Sequence, residues 1–215
     1  MRFGSLVHCE ILEPGECEKR YAVAPECDRR TKAGKAIYDA WYAENAGKVI
    51  VKQEEIDMAS AIWFAVKDHP AAAELLSEGK PEVTAICKDI TGPLRKARID
   101  WDRSDIGVLI DLKTTSDASP AAFAKSAANY QYHVQAAYYL DTWREAGGEA
   151  ETFWFIAVEK TPPFGVAVYE LPPNAIEDGR RLYREAITTH NVCVDSGEWP
   201  AYEPGIKQLI WPAWA

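Results

Sequence analysis

Apolar residues recur at helical spacing at the start of the chain. The apolar stripe consists of Phe3, Leu6, Val7 and Ile11. This spacing predicts a helix that ends before Pro14, with His8 lying beside the stripe. Residues 15–31 are predicted to form a loop. An isolated histidine on an apolar helix is usually a core residue, so His8 alone indicates no ligand.

Two further helices are predicted before the pattern changes. The sequence "DRRTKAGKAIYDAWYAE" leads into a second helix, and a third is expected over about 53–78. Pro70 lies inside the third segment. Because proline removes a helical hydrogen bond, we expect a kink or a break there.

From residue 82 onward the apolar residues alternate with a period of two, which is typical of strands. The sequences "EVTAIC" and "LRKARIDW", joined by "KDITGP", predict a β-hairpin. In its second arm the apolar face is Ala97, Ile99 and Trp101, and the charged face is Lys96, Arg98 and Asp100. The uncharged run in "IGVLIDLK" predicts a strand that is buried on both faces.

The second half of the chain adds helices and strands in alternation. A long helix is expected over about 119–146, then strands at "TFWFIAVE" and "GVAVYEL" and a closing helix at "NAIEDGRRLYREAITTH". A Pro- and Trp-rich tail, about 196–215, is predicted to pack as an extended arm. The order predicts an α/β or α+β fold, with a mixed central β-sheet flanked by helices.

Length and composition favour one domain spanning 1–215. The chain has 215 residues, of which 47% are hydrophobic, as is ordinary for a soluble globular protein. No apolar stretch approaches the roughly 18 residues of a membrane span, and the N-terminus lacks a signal-peptide core. We therefore expect a cytoplasmic protein with no membrane partner.

Charge and cysteine content exclude several classes of site. The five cysteines form no C-x-x-C pair, which argues against a zinc site, an iron–sulfur cluster and a disulfide framework. No glycine-rich turn joins a strand to a helix, so nucleotide binding of the dinucleotide or P-loop kind has no support. The net charge of −9 requires any polyanion site to be confined to a local basic region.

Charged residues at two strand ends supply the candidate chemistry. Asp100 and Asp111 lie on predicted neighbouring strands, and Lys113 follows Asp111 by one strand period. Two adjacent carboxylates repel each other unless a cation lies between them, and Mg²⁺ or Mn²⁺ suits such oxygen ligands. The alternative is an Asp–Lys ion pair that caps a strand end.

The joint spacing of these residues resembles a known superfamily. Asp100, then Asp111-Leu112-Lys113, then Gln135 and Tyr139 on a helix resemble the PD-(D/E)XK nuclease superfamily. His8 fits the histidine of the RecB-like branch. Within that branch, "LVHCEILEP", "YAVAPECDRRTKAGK", "IDLKTT", "YQYHVQAAYY" and "EWP" are similar to the exonuclease VIII (RecE) family. One departure is Ile99, where the superfamily usually has proline.

The resemblance implies a restriction-endonuclease-like core and a role for each matching residue. The implied ligands of one or two Mg²⁺ ions are His8, Asp100, Asp111 and the backbone carbonyl of Leu112. Lys113 would orient or activate the attacking water, and Glu82 occupies a position that often lines the pocket. Gln135 and Tyr139 would contact the scissile phosphate or brace Lys113, although core packing is an alternative for Tyr139.

The resemblance also implies an activity and partners. It indicates a Mg²⁺-dependent exodeoxyribonuclease that degrades linear duplex DNA, 5′ to 3′, as a homo-oligomeric ring and leaves a 3′ single strand for an annealing protein. Arg29, Arg30, Lys32 and Lys35 form the densest basic run and are expected either to meet DNA phosphates or to begin a solvated helix. A Cas4-like or restriction-type endonuclease and a non-catalytic DNA-binding module are the alternatives. The lack of clustered cysteines argues against the Cas4 type, and the buried charges argue against the non-catalytic module.

Overall fold

The computed structural model describes residues 2–88 and 94–211, and a five-stranded mixed β-sheet lies at its centre. The strands are β3 (Lys80–Lys88), β4 (Leu94–Arg103), β5 (Val108–Thr115), β6 (Thr152–Glu159) and β7 (Val166–Glu170). They lie in the order β3-β4-β5-β6-β7. Only β5 and β6 pair in parallel among them; the other pairs are antiparallel. A separate pair of short parallel strands is formed by β1 (Tyr21–Val23) and β2 (Val49–Val51).

Helices cover both faces of the central sheet. The helices of the described residues are α1 (Arg2–Leu12), α2 (Cys17–Arg20), α3 (Lys32–Glu44), α4 (Gln53–Asp68), α5 (Pro70–Leu75), α6 (Pro120–Asn129), α7 (Tyr132–Glu145) and α8 (Pro173–Ser196). On one face α1, α4 and α5 bury Leu6, Ile62 and Leu75 against Leu112 and Ile156. On the other face α6, α7 and α8 bury side chains against the remaining strand positions, including Leu109 and Phe155. The predicted mixed α+β fold is confirmed.

The β5 strand runs through the middle of both cores. Its first five residues, 108–112, are all buried. Val108, Ile110 and Leu112 belong to the core beneath α1, whereas Leu109 belongs to the core beneath α7. An uncharged run is therefore required here, because both faces of the strand are excluded from water.

The prediction of a single helix over 119–146 is wrong. It is divided into α6 and α7 at Gln131, whose φ of 56° lies in the left-handed region. The rings of Phe123 and Tyr132 each lie 5.8 Å from the ring of Phe155. Nine residues of straight helix would separate Phe123 and Tyr132 by about 13.5 Å along the axis. The break therefore allows both rings to contact one residue of β6.

Other boundaries also differ from the sequence predictions. The expected loop over 15–31 contains α2 and β1, and the closing helix continues to Ser196. The third predicted helix is broken at Pro70 into α4 and α5, which is one of the two outcomes expected there, a kink or a break. The predicted hairpin turn at 89–93 lies outside the described residues.

The C-terminal arm is largely exposed and has no regular secondary structure. Residues 197–211 contain no helix or strand, and exposed apolar side chains follow one another along them: Trp199, Tyr202, Ile206, Leu209, Ile210 and Trp211. Trp199 contacts the ring of His190 at 5.8 Å between centroids. No described helix of the chain is both long enough and apolar enough to cross a membrane.

Candidate active site

The candidate site lies where β4 separates from β5. The two strands pair over three residues only, from Arg103 opposite Val108 to Trp101 opposite Ile110. Asp100 and Asp111 are the next residues in this register, and no ladder pair joins them. The edge of β5 that faces β4 is therefore open from Asp111 onward, while its other edge remains paired with β6 along its whole length.

The carboxylate of Asp100 takes the place of the missing ladder hydrogen bond. The backbone N–H of Leu112 donates to Oδ2 of Asp100 at 3.0 Å. In an extended strand the N–H and C=O groups of one residue point to the same side, so the carbonyl of Leu112 also faces this gap. The same Oδ2 lies 3.5 Å from Nδ1 of His8.

Packing of α1 fixes the position of His8. Leu6 and Val7 are fully buried in the core beneath α1, where they contact the face of the sheet that carries Leu112. The His8 ring forms a hydrogen bond with the backbone of Leu112. The apolar stripe predicted from the sequence thus anchors the helix, and His8 projects from it over the gap between β4 and β5.

Glu82 reaches the same gap from β3 through an unusual backbone conformation. Its φ of 53° lies in the left-handed region, which is rare for a non-glycine residue inside a strand. Pro81 and Val83 pair with β4, but no ladder pair joins Glu82 to Asp100 between them. The ligand atoms of Glu82, Asp100 and His8 lie within 4.8 Å of one another. Backbone strain therefore coincides with the convergence of three groups that can ligate a metal.

Asp111 is held by a second set of contacts. Its Oδ2 lies 2.6 Å from Nζ of Lys113, and its Oδ1 accepts a hydrogen bond from Nε2 of Gln135 at 2.7 Å. Lys113 also donates to Oε1 of Gln135 at 3.0 Å. Nζ of Lys113 lies 4.6 Å from the centre of the Tyr132 ring. Asp111 and Lys113 thus share the buried side of β5 with α7, adjacent to the group formed by His8, Glu82 and Asp100.

The protonation preferences of these groups favour the binding of a cation. Burial, followed by the negative charge of Asp111, raises the pKa of Asp100 well above its usual range. Burial also raises the pKa of Glu82. Burial lowers the pKa of His8, which leaves the ring neutral and able to donate a lone pair to a metal. Carboxylates that resist ionisation in a buried gap are stabilised when a cation enters it.

Lys113 has the opposite preference. Burial alone lowers the pKa of an ammonium, but the charge of Asp111 and the contact with its carboxylate outweigh that effect, and the pKa of Lys113 is raised. The side chain is therefore a protonated donor at neutral pH.

The structure brings most of the predicted residues together. Around the gap lie His8, Glu82, Asp100, the backbone of Leu112, Asp111, Lys113 and Gln135. Tyr139 borders Gln135 but also packs its ring 6.3 Å from Phe153, so it combines a site contact with the core role that was its alternative. Glu82, rather than Asp111, completes the compact group of ligand atoms.

The predicted basic run makes local contacts. Arg30 pairs with Asp28 at 2.9 Å, and the guanidinium of Arg29 lies 3.9 Å from the centre of the Tyr38 ring. Thr31 caps α3 through Gly34, so Lys32 is the first residue of that helix.

Two neighbours of the site had no assigned role in the sequence analysis. Arg98 contacts the carboxylate of Glu82, and Tyr132 lies beneath the ammonium of Lys113. For Tyr132 a signal existed, because it precedes Gln135 by three residues and so shares its helix face. For Arg98 the strand alternation gave the face but not the contact.

Fold and site together support a nuclease of the PD-(D/E)XK class: a mixed sheet carries two aspartates and a lysine at the open edge of its central strands, and helices cover both faces. The comparisons with known proteins agree with this class. The chain belongs to the family described as "PDDEXK-like domain of unknown function (DUF3799)", which matches residues 1–208.

One solved structure shows the same fold, and a second is a weaker match. A crystal structure described as a "putative exonuclease" from Eubacterium rectale matches with a TM-score of 0.57 and 16% sequence identity, covering 80% of this chain and 65% of that one. This chain therefore spans about two thirds of that protein. The crystal structure of SSO0001 matches with a TM-score of 0.36 and 18% identity, covering 92% and 96% of the two chains. The search of curated proteins found no match.

Proposed function

We propose that the protein is a Mg²⁺-dependent exodeoxyribonuclease that hydrolyses linear duplex DNA from the 5′ end, with Mn²⁺ as an alternative ion. The observation that carries the proposal is the convergence of His8, Glu82 and Asp100 on one gap, with their ligand atoms within 4.8 Å and the Asp111–Lys113 pair beside it. The family and the printed description of the Eubacterium rectale neighbour support nuclease chemistry. Exonuclease action, polarity and the choice of metal are part of the proposal.

The donor set fits a hard divalent cation. The residues that would hold it are His8, Glu82, Asp100, Asp111 and the Leu112 carbonyl. When bound, the ion supplies Lewis-acid stabilisation of the charge that develops on the phosphate oxygens. The raised pKa values of Asp100 and Glu82 favour this assignment, because a cation offsets the electrostatic cost of ionising both buried groups.

Lys113 has a distinct role in the proposed reaction. Since it remains protonated, it acts as a donor that orients the attacking water or stabilises a phosphate oxygen, and not as a base that removes a proton. Asp111 and Gln135 hold its ammonium at 2.6 and 3.0 Å, which fixes the direction in which the remaining donor site points. Gln135 is thereby a positioning residue for both members of the pair.

Digestion of end-labelled linear duplex in Mg²⁺ tests the proposal. We expect the wild type to release labelled product, and Asp111→Ala to lose at least about 100-fold in rate, the scale seen when one transition-state contact is removed. Asp195→Ala is the matched control, because Asp195 is exposed on α8. Equal activity of the wild type and Asp111→Ala, or no activity in either, would reject the nuclease assignment. Nicking of circular DNA would indicate an endonuclease instead.

The partners in this proposal are DNA ends, further copies of the chain in a ring and a single-strand annealing protein. Arg29, Arg30 and Lys32 are proposed to contact DNA phosphates near the mouth of the site. Arg29→Ala with Arg30→Ala should reduce the salt dependence of DNA binding, and an unchanged slope would count against the contact.

A further inference from the structure

The hairpin formed by β3 and β4 extends beyond the rest of the sheet as a two-stranded ribbon. Its strands pair from Lys80 opposite Asp102 to Lys88 opposite Leu94, whereas β4 pairs with β5 over three residues only. The ribbon therefore begins beside Glu82 and Asp100 and extends away from them to the pair formed by Lys88 and Leu94.

One face of the ribbon is anchored to the domain. Ala85 and Cys87 of β3, and Ala97 and Ile99 of β4, are buried on the side that α7 covers. Arg95 is buried on the same side and forms an ion pair with Glu145 at the end of α7. This packing holds the ribbon in a fixed direction relative to the candidate site.

The opposite face of the ribbon is exposed and basic. It consists of Thr84, Ile86 and Lys88 on β3 and of Leu94, Lys96 and Arg98 on β4. Three of the six side chains are cations and none is acidic, in a chain with a net charge of −9. Within the described part of the chain, Lys88 and Lys96 form no ion pair, so their charges are available to a ligand.

This basic ribbon face leads directly into the candidate site. Arg98, at its inner end, contacts the carboxylate of Glu82. Alternate residues on a strand are about 6.6 to 6.8 Å apart, so Arg98 and Lys96 form successive positive points on a line away from the carboxylates, with Lys88 beyond them on the paired strand. Ile86 and Leu94, which are 53% and 68% exposed, lie between and beside the cations.

We infer that the basic ribbon face binds the phosphate backbone of the DNA that leads into the candidate site, an inference that rests on the proposed function. Charge complementarity identifies the occupant, because the exposed cations Lys88, Lys96 and Arg98 lead to the proposed phosphodiester-cleaving centre and match a polyanionic strand. Exposed Ile86 and Leu94 are placed to contact sugars or base edges next to the phosphates.

Salt titration of DNA binding tests this inference. Binding of a fluorescent linear duplex is measured by anisotropy in EDTA over a series of salt concentrations, for the wild type and for Lys88→Gln with Lys96→Gln. Loss of two phosphate contacts should reduce the slope of log affinity against log salt by about 1.8 in magnitude on duplex and about 1.4 on a single strand. Both lysines are exposed, so folding should be unaffected.

The control removes the same charge elsewhere. Lys67→Gln with Lys125→Gln changes two exposed lysines of α4 and α6, and its slope should match that of the wild type. If the ribbon variant and the control change the slope equally, the effect is one of net charge and the inference fails. If the ribbon variant changes the oligomeric mass and not the slope, the face is a subunit contact and the inference also fails.

Cleavage kinetics separate this inference from the proposed function. With Mg²⁺, the ribbon variant should retain kcat at saturating DNA and show a raised KM, because neither lysine contacts the carboxylates. A wild type that cleaves DNA while the ribbon variant keeps its slope and KM would reject the ribbon inference alone. A changed slope together with an inactive wild type would reject the nuclease proposal and leave the DNA-binding face supported.

Discussion

At the scale of single residues, the candidate site depends on carboxylates that are buried before any cation arrives. Asp100 accepts a hydrogen bond from Leu112, but this bond does not offset burial and the nearby charge of Asp111, and its pKa remains raised. The metal-free protein therefore keeps an electrostatic cost at neutral pH. Such a cost is expected of a site that is organised for a ligand rather than for stability.

Substitution of Asp100 by asparagine should separate stability from function. Because the folded-state pKa of Asp100 lies above its ordinary value of 3.8, its stabilising effect in the metal-free protein is complete below that pH and is lost as the pH rises towards the folded-state pKa. Because asparagine does not ionise, Asp100→Asn avoids this loss of stability. In EDTA at pH 7 we expect a higher Tm for Asp100→Asn than for the wild type, by about 2 to 4 °C for each kcal/mol regained.

Thermal melts from pH 4 to 8 provide the measurement. Added Mg²⁺ should raise the Tm of the wild type and leave that of Asp100→Asn almost unchanged, since an ion that binds only the folded state stabilises it. Asp195→Asn is the control and should behave as the wild type does in both conditions. A lower Tm for Asp100→Asn in EDTA at pH 7 would contradict the expected electrostatic cost.

At the scale of elements, the sequence predicted those parts of the fold that follow from local periodicity. The α1 stripe, the alternation in β4 and the uncharged β5 run each reflect burial on a defined face, and the structure has all three. The division of the 119–146 helix was not predictable in this way. It depends on the contact of Phe123 and Tyr132 with Phe155, a residue of β6 that lies more than 20 positions away in the chain.

The candidate site shows the same limit. Asp100, Asp111 and Lys113 could be proposed because strand period and antiparallel order bring them to one edge of the sheet. The backbone of Glu82 could not be foreseen, because a positive φ at glutamate is locally unfavourable and is maintained by the pairing of Pro81 and Val83 on either side. The contact between Arg98 and Glu82 follows from that conformation.

The break between α6 and α7 supplies a prediction about stability. Gln131 is exposed and has a left-handed conformation, which costs about 1 kcal/mol in a non-glycine residue. Gln131→Gly should therefore raise the free energy of unfolding by about 0.5 to 1 kcal/mol, and Gln131→Ala should not. Urea denaturation at constant m-value measures the difference. A stabilising alanine would mean that the segment prefers a continuous helix.

At the scale of the whole molecule, the C-terminal arm exposes apolar side chains that the rest of the chain does not cover. Six large apolar side chains between Trp199 and Trp211 are exposed, although the family match extends to residue 208. Exposed apolar side chains in such a concentration are typical of surfaces that bind another protein. This observation supports the proposed ring, in which the arm of one copy would contact the next.

Removal of the arm should therefore lower the oligomeric state. We expect the full chain to form a multimer at micromolar concentration and a variant ending at Gly197 to have a smaller mass by light scattering. The truncation leaves α8 intact, so circular dichroism should report unchanged helix content. A monomeric full chain would reject the ring, and equal multimers of both forms would place the contact elsewhere.

The short pairing of β4 with β5, over three residues, limits how strongly the hairpin is tied to the rest of the sheet. Because the hairpin joins the rest of the sheet only beside the acidic residues, its outer portion can be lengthened, shortened or exchanged without re-registering β5 against β6. Its buried residues, including Ala85 and Ala97, must still pack against α7. A hairpin that keeps these contacts can therefore carry different side chains on its exposed face without displacing the candidate site.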